Sequence, residues 1–261
     1  GTVIAGRYRL GPKLGVGASG PIWEATRLAD GELVAIKLLR AAVAHDTVAS
    51  DRLRREAAAL GLAWHPNVVE VYDEGHLPDG TSYLVMERLV GESLEGRLRG
   101  RGRLAPDELL PIALQVCDAL GAVHAAGVVH RDLKPSNIFL ATVEPETDED
   151  TSERVKILDF GIARVEWAET RLTNMGVPVG TPGYMSPEQE QGLEIDSRSD
   201  IYSLGGVLLH CLTGEPPSLR PGDLWSGTVR ASRGSTRTQP DAAELLFQAI
   251  PRAWRAVIER A

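Results

Sequence analysis

His130-Arg131-Asp132-Leu133-Lys134-Pro135-Ser136-Asn137 follows a long helical pattern and brings an acid, a lysine and an amide close together. Asp159-Phe160-Gly161 follows later, directly after the strand-like run Val155–Leu158. Two acids and an amide supply the oxygen ligands that hard divalent cations prefer, and an acid kept off the metal can accept a proton from a hydroxyl. Loops rich in Asp and Asn between strands would explain each motif separately, but not the two in this order.

A glycine-rich segment, Gly15-Val16-Gly17-Ala18-Ser19-Gly20, lies near the start of the chain. Its glycines would let backbone amides approach phosphate oxygens without an intervening side chain. A dinucleotide-binding loop of this pattern is followed directly by a helix, whereas Ile22, Trp23 and Ala25 continue a strand. The segment therefore predicts a hairpin over a phosphate, with an ordinary glycine-rich turn as the alternative.

The motif Val34-Ala35-Ile36-Lys37 places a lysine in an otherwise apolar strand, and a lysine on a buried face needs a carboxylate or phosphate partner. Glu56 shares a helical stripe with Leu53 and Leu60 that would face the same sheet. We therefore predict that Lys37 pairs with Glu56. The alternative is that both side chains reach solvent as surface charges.

The chain changes from strand-rich to helical near position 90. Periodicity and turn signals predict antiparallel strands over Tyr8–Leu14, Pro21–Arg27, Leu33–Leu39, Val68–Tyr72 and Tyr83–Leu89, with one helix over 47–62. Core helices are predicted over 106–126 and 201–212, a further helix over 241–261, and an acidic loop insertion over 144–153. We therefore expect an α+β chain of two parts.

Composition restricts the partners and the compartment. Hydrophobic residues make up 43% and charged residues 25%, as in ordinary folded domains, and the net charge of -8 provides no basic surface for nucleic acid or anionic lipid. Cys117 and Cys211 lie in apolar helical runs, which predicts buried free thiols in a reducing compartment. No continuous apolar run reaches the ~18 residues of a membrane span, and the first ten residues lack a signal-peptide core. We expect a cytoplasmic domain, or the intracellular part of a longer chain.

Taken together, these motifs resemble the eukaryotic-type serine/threonine protein kinase family, and most of all its bacterial members. The resemblance covers nearly the whole chain and includes Gly180-Thr181-Pro182-Gly183-Tyr184-Met185-Ser186-Pro187-Glu188, with Ser186 where the family usually has alanine. Asp200 followed by Ser203-Leu204-Gly205 matches the family's next helix. The resemblance implies a bilobal kinase-like fold: a small antiparallel-sheet lobe with one major helix (residues 1–89), a larger mainly helical lobe (90–261), and ATP between them.

The resemblance also implies a role for each matching residue. Lys37, held by Glu56, would bind the α- and β-phosphates of ATP. Asp132 would orient the attacking hydroxyl, and Lys134 would stabilise the transferring phosphoryl group. Asn137 and Asp159 would hold Mg²⁺, with Mn²⁺ as an alternative. The remaining ATP contacts would come from the glycine loop, the apolar walls and the hinge: Gly15, Val16, Gly17, Gly20, Ile22, Ala35, Met86, Glu87, Leu89 and Phe139.

The expected partners are ATP and proteins with serine or threonine acceptors, because Lys134 and Thr181 resemble the Ser/Thr rather than the Tyr subfamily. A homodimer is expected during autophosphorylation, and no contact with nucleic acid or membrane is expected. Two rival functions stay open: a pseudokinase that only senses nucleotide, and a small-molecule phosphotransferase of related fold.

Regulation is expected in the segment before Glu188. Phosphorylation of Thr173, or of Thr170 as second choice, would bring negative charge to three arginines that converge in kinases switched in this way: Arg52, Arg131 and Arg164. Thr181, further along, would contact Asp132 and Lys134. The alternative is that the arginines form ordinary surface pairs.

One departure from the family concerns Glu188, which normally pairs with an arginine of a late helix. Neither Arg252 nor Arg255 lies in a recognisable version of that helix. We therefore expect a carboxylate that lacks compensation and a helical lobe that ends early.

Overall fold

The computed structural model describes residues 1–17, 20–39, 64–143, 153–160, 181 and 183–217. The first part contains β1 (Val3–Ile4), β2 (Tyr8–Gly17), β3 (Gly20–Arg27), β4 (Leu33–Leu39), β5 (Val71–His76) and β6 (Ser82–Glu87). The second contains β7 (Gly91–Ser93), α1 (Leu94–Arg101), α2 (Pro106–Ala125), a 3-10 turn (Pro135–Asn137), β8 (Ile138–Thr142), β9 (Glu153–Ile157), α3 (Pro187–Glu190) and α4 (Ser197–Thr213).

Strands β1 to β6 form one antiparallel sheet in the order β1-β2-β3-β4-β6-β5. Alternation along β4 separates its two faces, because successive side chains of a strand point to opposite sides. Val34 and Ile36 are buried in a cluster with Tyr83 and Val85. Ala35 lies on the other face, and Lys37 shares that alternation and is only 2% exposed. The sheet thus directs the strand lysine to the face opposite its main apolar cluster.

The glycine segment forms the tip of the β2–β3 hairpin. Gly15 is paired with Ile22 and Gly17 with Gly20, in antiparallel register. A strand also follows the glycines directly, so the arrangement is a hairpin and not the strand–helix turn of a dinucleotide-binding loop.

The helical part is built around α2 and α4. One face of α2 is buried with the apolar face of α4, and both belong to one large core: Leu109, Ile112, Ala113, Val116, Leu120, Val123, Leu204, Val207, Leu208 and Cys211. Helix α4 is followed by the capping residue Gly214. Its φ of 81° and the 2.9 Å between an added Cβ and the Gly102 carbonyl oxygen require glycine. By length and composition alone, α2 is also apolar enough to cross a membrane.

A short extended segment joins the two parts of the fold. Val69 donates to the carbonyl of Ile157 at 3.0 Å, and the Ile157 amide donates to the carbonyl of Asn67 at 2.8 Å. Beside these bonds, Lys156 Nζ lies 2.6 Å from the Glu87 carboxylate. The end of β9, and therefore the Asp159 segment that follows it, is held against the first sheet.

Several sequence predictions differ from the structure. The strand predicted over Val68–Tyr72 begins only at Val71, because Val68 bridges to β9 instead of joining the sheet. The prediction of a buried thiol is wrong for Cys117, which is exposed on the outer face of α2, whereas Cys211 is buried and its desolvated thiol has a pKa raised to about 12. Apolar residues occur around most of α2, so periodicity did not identify its outer face.

The predicted helices over 47–62 and 241–261 and the acidic residues 144–152 lie outside the described residues. The division of the chain at residues 89 and 90 stays a prediction.

Candidate active site

Asp132 is the centre of a compact polar arrangement. Lys134 Nζ lies 2.9 Å from Asp132 Oδ2 and donates to Thr181 Oγ1 at 2.8 Å. Thr181 in turn donates to Asp132 Oδ1 at 3.3 Å. Asn137 Nδ2 donates to the Asp132 backbone carbonyl at 2.8 Å. The structure therefore brings four of the sequence-predicted residues together, including one from a segment almost fifty positions away.

The loop of residues 130–137 is shaped by a fully buried acid of α4. Asp200 Oδ2 accepts from the His130 amide at 2.7 Å, and Oδ1 accepts from the Arg131 amide at 2.8 Å. His124 Nε2 lies 2.7 Å from Asp200 Oδ2. Because a buried carboxylate is costly unless its oxygens are hydrogen-bonded, these donors explain how Asp200 can be 0% exposed.

His130 links this loop to the Asp159 segment. Its Nδ1 accepts from the Asp132 amide at 3.2 Å, and its Nε2 donates to the Leu158 carbonyl at 2.9 Å. The two bonds together require the neutral ring with its proton on Nε2. The ring also packs on Phe160, with 4.7 Å between ring centroids. Imidazole and phenyl ring thereby fix the spacing between Asp132 and Asp159.

Lys37 and Asp159 form a direct ion pair beneath the glycine hairpin. Lys37 Nζ lies 2.6 Å from Asp159 Oδ1, and Asp159 has the uncommon φ of 52°. A Cβ added to Gly17 would lie 3.8 Å from both Asp159 Oδ2 and Lys37 Cε. Glycine at this position leaves open the space above the pair that any side chain would enter. Glu56 lies outside the described residues, so its pairing with Lys37 stays a prediction.

Asn137 and Asp159 have the chemistry of a site for a hard cation. The Asn137 amide donates through Nδ2, which turns its Oδ1 away from Asp132. Lys37 pairs with Oδ1 of Asp159, while Oδ2 faces the space below Gly17. No group of three or more His, Cys, Asp or Glu side chains suited to a metal occurs among the described residues. An amide oxygen and a carboxylate oxygen are the kinds of ligand that a hard divalent cation prefers.

Of the apolar residues predicted to enclose the adenine, Ile22 on β3 is paired with Lys37 on β4. Ala35 and Met86 are buried in one cluster with Val69, and Ile22 packs against it. Phe139 lies on β8 opposite Ser93 of β7. The other predicted ATP contacts include Leu89, which is half-buried after β6, and Val16, which is 62% exposed at the hairpin tip.

Three hydrogen bonds that the sequence patterns did not predict connect the segment after Thr181 to the rest of the fold. Gln189 Nε2 donates to the Arg131 carbonyl at 2.7 Å, and Ser199 donates to the Glu188 carboxylate. Tyr184 lies 2.6 Å from His210 Nδ1; burial raises the pKa of Tyr184 and lowers that of His210, so the phenol donates to a neutral imidazole. The pattern Ser186-x-x-Gln189 signals a capping box, but nothing local signals contacts with such distant residues.

The expectation that the Glu188 carboxylate lacks compensation is wrong. Burial alone would raise its pKa, but hydrogen bonds from the Ser199 hydroxyl and from its own backbone amide hold the pKa below its ordinary value. A lowered pKa means that the fold favours the ionised carboxylate. The arginines considered as its partners, Arg252 and Arg255, lie outside the described residues, as do the predicted regulatory residues Arg52, Arg164, Thr170 and Thr173.

Known sequences and structures are similar to this chain over most of its length. The sequence profile of the protein kinase domain family matches residues 8–237. A probable serine/threonine-protein kinase of Corynebacterium efficiens is 41% identical over 219 residues, which are 82% of this chain and 32% of the relative. The serine/threonine-protein kinase PknB of Mycobacterium leprae is 38% identical over 217 residues, 82% of this chain and 33% of the relative. The chain thus spans about a third of the length of these relatives.

Solved structures confirm the fold class. The crystal structure of the Mycobacterium tuberculosis PknI kinase domain superposes with a TM-score of 0.66 at 29% identity, covering 84% of this chain and 76% of that domain. The bilobal α+β fold expected from the sequence is therefore correct.

Proposed function

Because the chain belongs to the protein kinase family, we propose that it is the catalytic domain of a bacterial-type serine/threonine protein kinase. It would transfer the γ-phosphoryl group of ATP to serine and threonine hydroxyls of proteins. The observation that carries the proposal is the contact of Asp132 with both Lys134 and Thr181, which joins the candidate proton acceptor to the segment 181–190. We call residues 181–190 the docking segment, since its counterpart in the family lies against protein substrates.

The chain's own residues support each part of this reaction. Asp132 would accept a hydrogen bond from the substrate hydroxyl and orient it toward the phosphate. Lys134, held between Asp132 and Thr181, would neutralise charge on the transferring group. Lys37 would align the α- and β-phosphates under the open space at Gly17, with the adenine between Ile22, Ala35 and Phe139.

The family uses ATP together with a divalent cation, and here Asn137 and Asp159 would hold Mg²⁺ or Mn²⁺. The bound cation would neutralise phosphate charge. The ion pair of Lys37 with Asp159 supports this assignment, because it directs one carboxylate oxygen to the lysine and leaves the other toward Gly17. The predicted hinge would contribute backbone contacts from Glu87 and Leu89, beside Met86.

The rival functions make different demands on the same residues. A pseudokinase needs no proton acceptor, whereas Asp132 is held by Lys134 and by the Thr181 hydroxyl. A small-molecule phosphotransferase needs no docking segment, whereas Thr181 and Gln189 both connect that segment to the 130–137 loop. Neither rival explains the connection.

The test is transfer of label from [γ-³²P]ATP with Mg²⁺ to a generic basic protein, followed by analysis of the modified residues. We expect phosphoserine and phosphothreonine, and a loss of about 10²- to 10⁴-fold in Asp132→Asn, the range for general-base contributions. Asp118→Asn, the same change at an exposed position of α2, is the matched control and should behave like the wild type. Nucleotide binding without transfer by the wild type would support the pseudokinase, and label on small hydroxyl compounds alone would support the phosphotransferase.

We also propose a cytoplasmic location and a homodimeric assembly. Two cysteines without a disulfide and a net charge of -8 are consistent with a cytoplasmic domain that acts on proteins and not on nucleic acid or membranes. A homodimer is proposed for autophosphorylation.

A further inference from the structure

We propose that Gln189 is a positioning residue for phosphoryl transfer, which holds the Arg131 peptide and through it the orientation of Asp132. The inference rests on the proposed kinase function and adds a residue of the docking segment to the machinery. Gln189 itself would touch neither ATP nor the acceptor hydroxyl. It would act through the peptide immediately before the proton acceptor.

Both ends of the Gln189 amide are engaged, each by a different part of the chain. Nε2 donates to the Arg131 carbonyl at 2.7 Å. Oε1 accepts from the Ser186 amide at 3.0 Å and from the Ser186 hydroxyl at 3.3 Å. The residue is only 6% exposed, so water is not an easy replacement for either partner. The side chain is therefore a buried polar bridge from the docking segment to the 130–137 loop.

The peptide that it holds has an unusual conformation. Arg131 has a φ of 67°, a region that residues with a side chain seldom adopt and keep only when their surroundings impose it. The Arg131 amide donates to Asp200 of α4 at 2.8 Å, and the Arg131 carbonyl accepts from Gln189 of α3. The backbone amide and the backbone carbonyl of Arg131 are thus each held by a side chain, and the two side chains come from different helices.

The direction of the Arg131 carbonyl bears directly on Asp132. The Arg131 carbonyl and the Asp132 amide belong to the same peptide plane, whose orientation is set by the ψ angle of Arg131. A hydrogen bond that fixes this carbonyl therefore also fixes the position of the Asp132 Cα, from which the side chain extends. Asp132 also contacts Thr181 of the same docking segment. Gln189 and Thr181 therefore connect docking segment and acceptor at two points, and loss of one leaves Asp132 with a wider range of orientations.

A purely structural role is the alternative, because Gln189 also completes the capping box of α3 with Ser186. The two roles differ in what they change. Loss of a cap lowers stability and the folded fraction, whereas loss of positioning lowers kcat in folded protein and leaves ATP binding intact, since Lys37 and Gly17 are not touched.

The first experiment compares Gln189→Met with Gln191→Met, the same change at an exposed glutamine two positions later. Rates of transfer from ATP to a generic basic protein are measured at saturating concentrations of both, beside thermal unfolding and calorimetric ATP binding. We expect kcat to fall about 10- to 100-fold in Gln189→Met, the scale of a small misplacement of a reacting group, with the Kd of ATP changed less than about twofold. Gln191→Met should match the wild type.

The second experiment uses Gln189→Glu, which has nearly the same shape and a titratable oxygen. The ionised carboxylate cannot donate to the Arg131 carbonyl, whereas the protonated acid can donate through one oxygen and accept from Ser186 through the other. Acids outnumber cations on the surrounding elements and, with burial, raise the pKa of the introduced carboxyl. The acids are Asp132, Glu188, Glu190, Asp196 and Asp200, and the cations are Arg131, Lys134 and Arg198.

The kcat of Gln189→Glu divided by that of the wild type should therefore rise as the pH falls from 8 to 6. While the pH lies above the pKa of the new carboxyl, the rise should approach about tenfold per pH unit. Gln191→Glu should show a flat ratio, and so should Gln189→Met, which cannot titrate. Protonation of a buried carboxyl with a raised pKa also stabilises the folded state, so the folded fraction of Gln189→Glu is measured by circular dichroism at each pH and kcat is expressed per folded protein.

The outcomes separate this inference from the proposed function. A wild-type chain that transfers no phosphate contradicts the proposed function and the inference with it. An active wild type with Gln189→Met and Gln189→Glu as active as the Gln191 controls contradicts the inference alone. So does a loss of activity that matches the loss of folded protein and shows no recovery of Gln189→Glu at lower pH.

Discussion

Arg97 of α1 should contribute measurably to the stability of the fold through its ionic hydrogen bonds. Its guanidinium donates to Glu92 Oε1 at 2.9 Å, and to both oxygens of Glu153 at 2.8 and 2.5 Å. These bonds join the start of α1 to β7 and β9, the strands on either side of β8 and of the predicted adenine contact Phe139. Replacing Arg97 with methionine keeps most of the packing volume and removes the charge and all three bonds.

The magnitude follows from how much water reaches each partner. Breaking a fully buried ion pair by removing one partner costs about 3–5 kcal/mol. Here the Arg97 side chain is 9% exposed, but those of Glu92 and Glu153 are 48% and 41% exposed. The two carboxylates can regain water when the arginine is removed, so we expect the free energy of unfolding to fall by about 2–3 kcal/mol.

Urea unfolding at pH 7 measures this change, with Arg99→Met as the matched control on the same helix. Arg99 is 77% exposed and makes one bond of 3.2 Å with Glu95, so its loss should cost less than about 0.5 kcal/mol. The double variant Arg97→Met, Glu153→Gln should recover part of the loss, because it also removes the negative charge that Arg97 offset.

The pH dependence has a definite sign. Its hydrogen bond with Arg97 holds the pKa of Glu153 below the ordinary 4.5, so the contribution is fully present above about pH 4.5 and is lost as the pH falls through the lowered pKa. The difference between wild type and Arg97→Met should therefore shrink in acid. A difference below 1 kcal/mol at pH 7, or one that grows in acid, would refute the reasoning.

The remaining predictions concern the nucleotide, the switch and the docking segment. Lys37→Met and Asp159→Asn should each abolish transfer to protein substrate in the radiolabel assay while circular dichroism stays unchanged, because one removes phosphate alignment and the other a cation ligand; near-normal activity in folded variants would contradict the assignment. Calorimetry should show ATP binding that depends on Mg²⁺, and binding indifferent to metal would favour the pseudokinase. Mass spectrometry after incubation with ATP should find phosphate on Thr173 or Thr170, and full activity of the double alanine variant would exclude the switch. Because burial lowers the pKa of His210 from its ordinary 6.5, stability should fall as the pH drops below about 6.5, and this slope should be absent in urea melts of His210→Gln.

Sequence patterns within short segments were enough to predict individual strands and helices. The glycines that alternate with strand residues predicted the β2–β3 hairpin, and the apolar spacing of α2 predicted its bounds to within one residue. The same spacing could not predict that Cys117 is exposed, because apolar residues lie on both faces of that helix. It also could not predict that Val68 pairs with β9, since the preferred partner of a short extended segment depends on which edge is near.

For the candidate site, too, some features could be predicted from the sequence and others could not. The sequence alone was enough to identify the candidate residues, because the chemistry of cations and phosphates restricts which side chains can serve. These residues are Lys37, Asp132, Asn137 and Asp159. Only the tertiary structure shows which groups hold these residues in place. Asp200 accepts hydrogen bonds from the backbone of the 130–137 loop, His124 contacts Asp200, and Gln189 donates to the Arg131 carbonyl. Such contacts join residues more than fifty positions apart, and the hydrogen bond that satisfies a buried polar group is chosen by what packing brings within 3 Å of it, which no local pattern records.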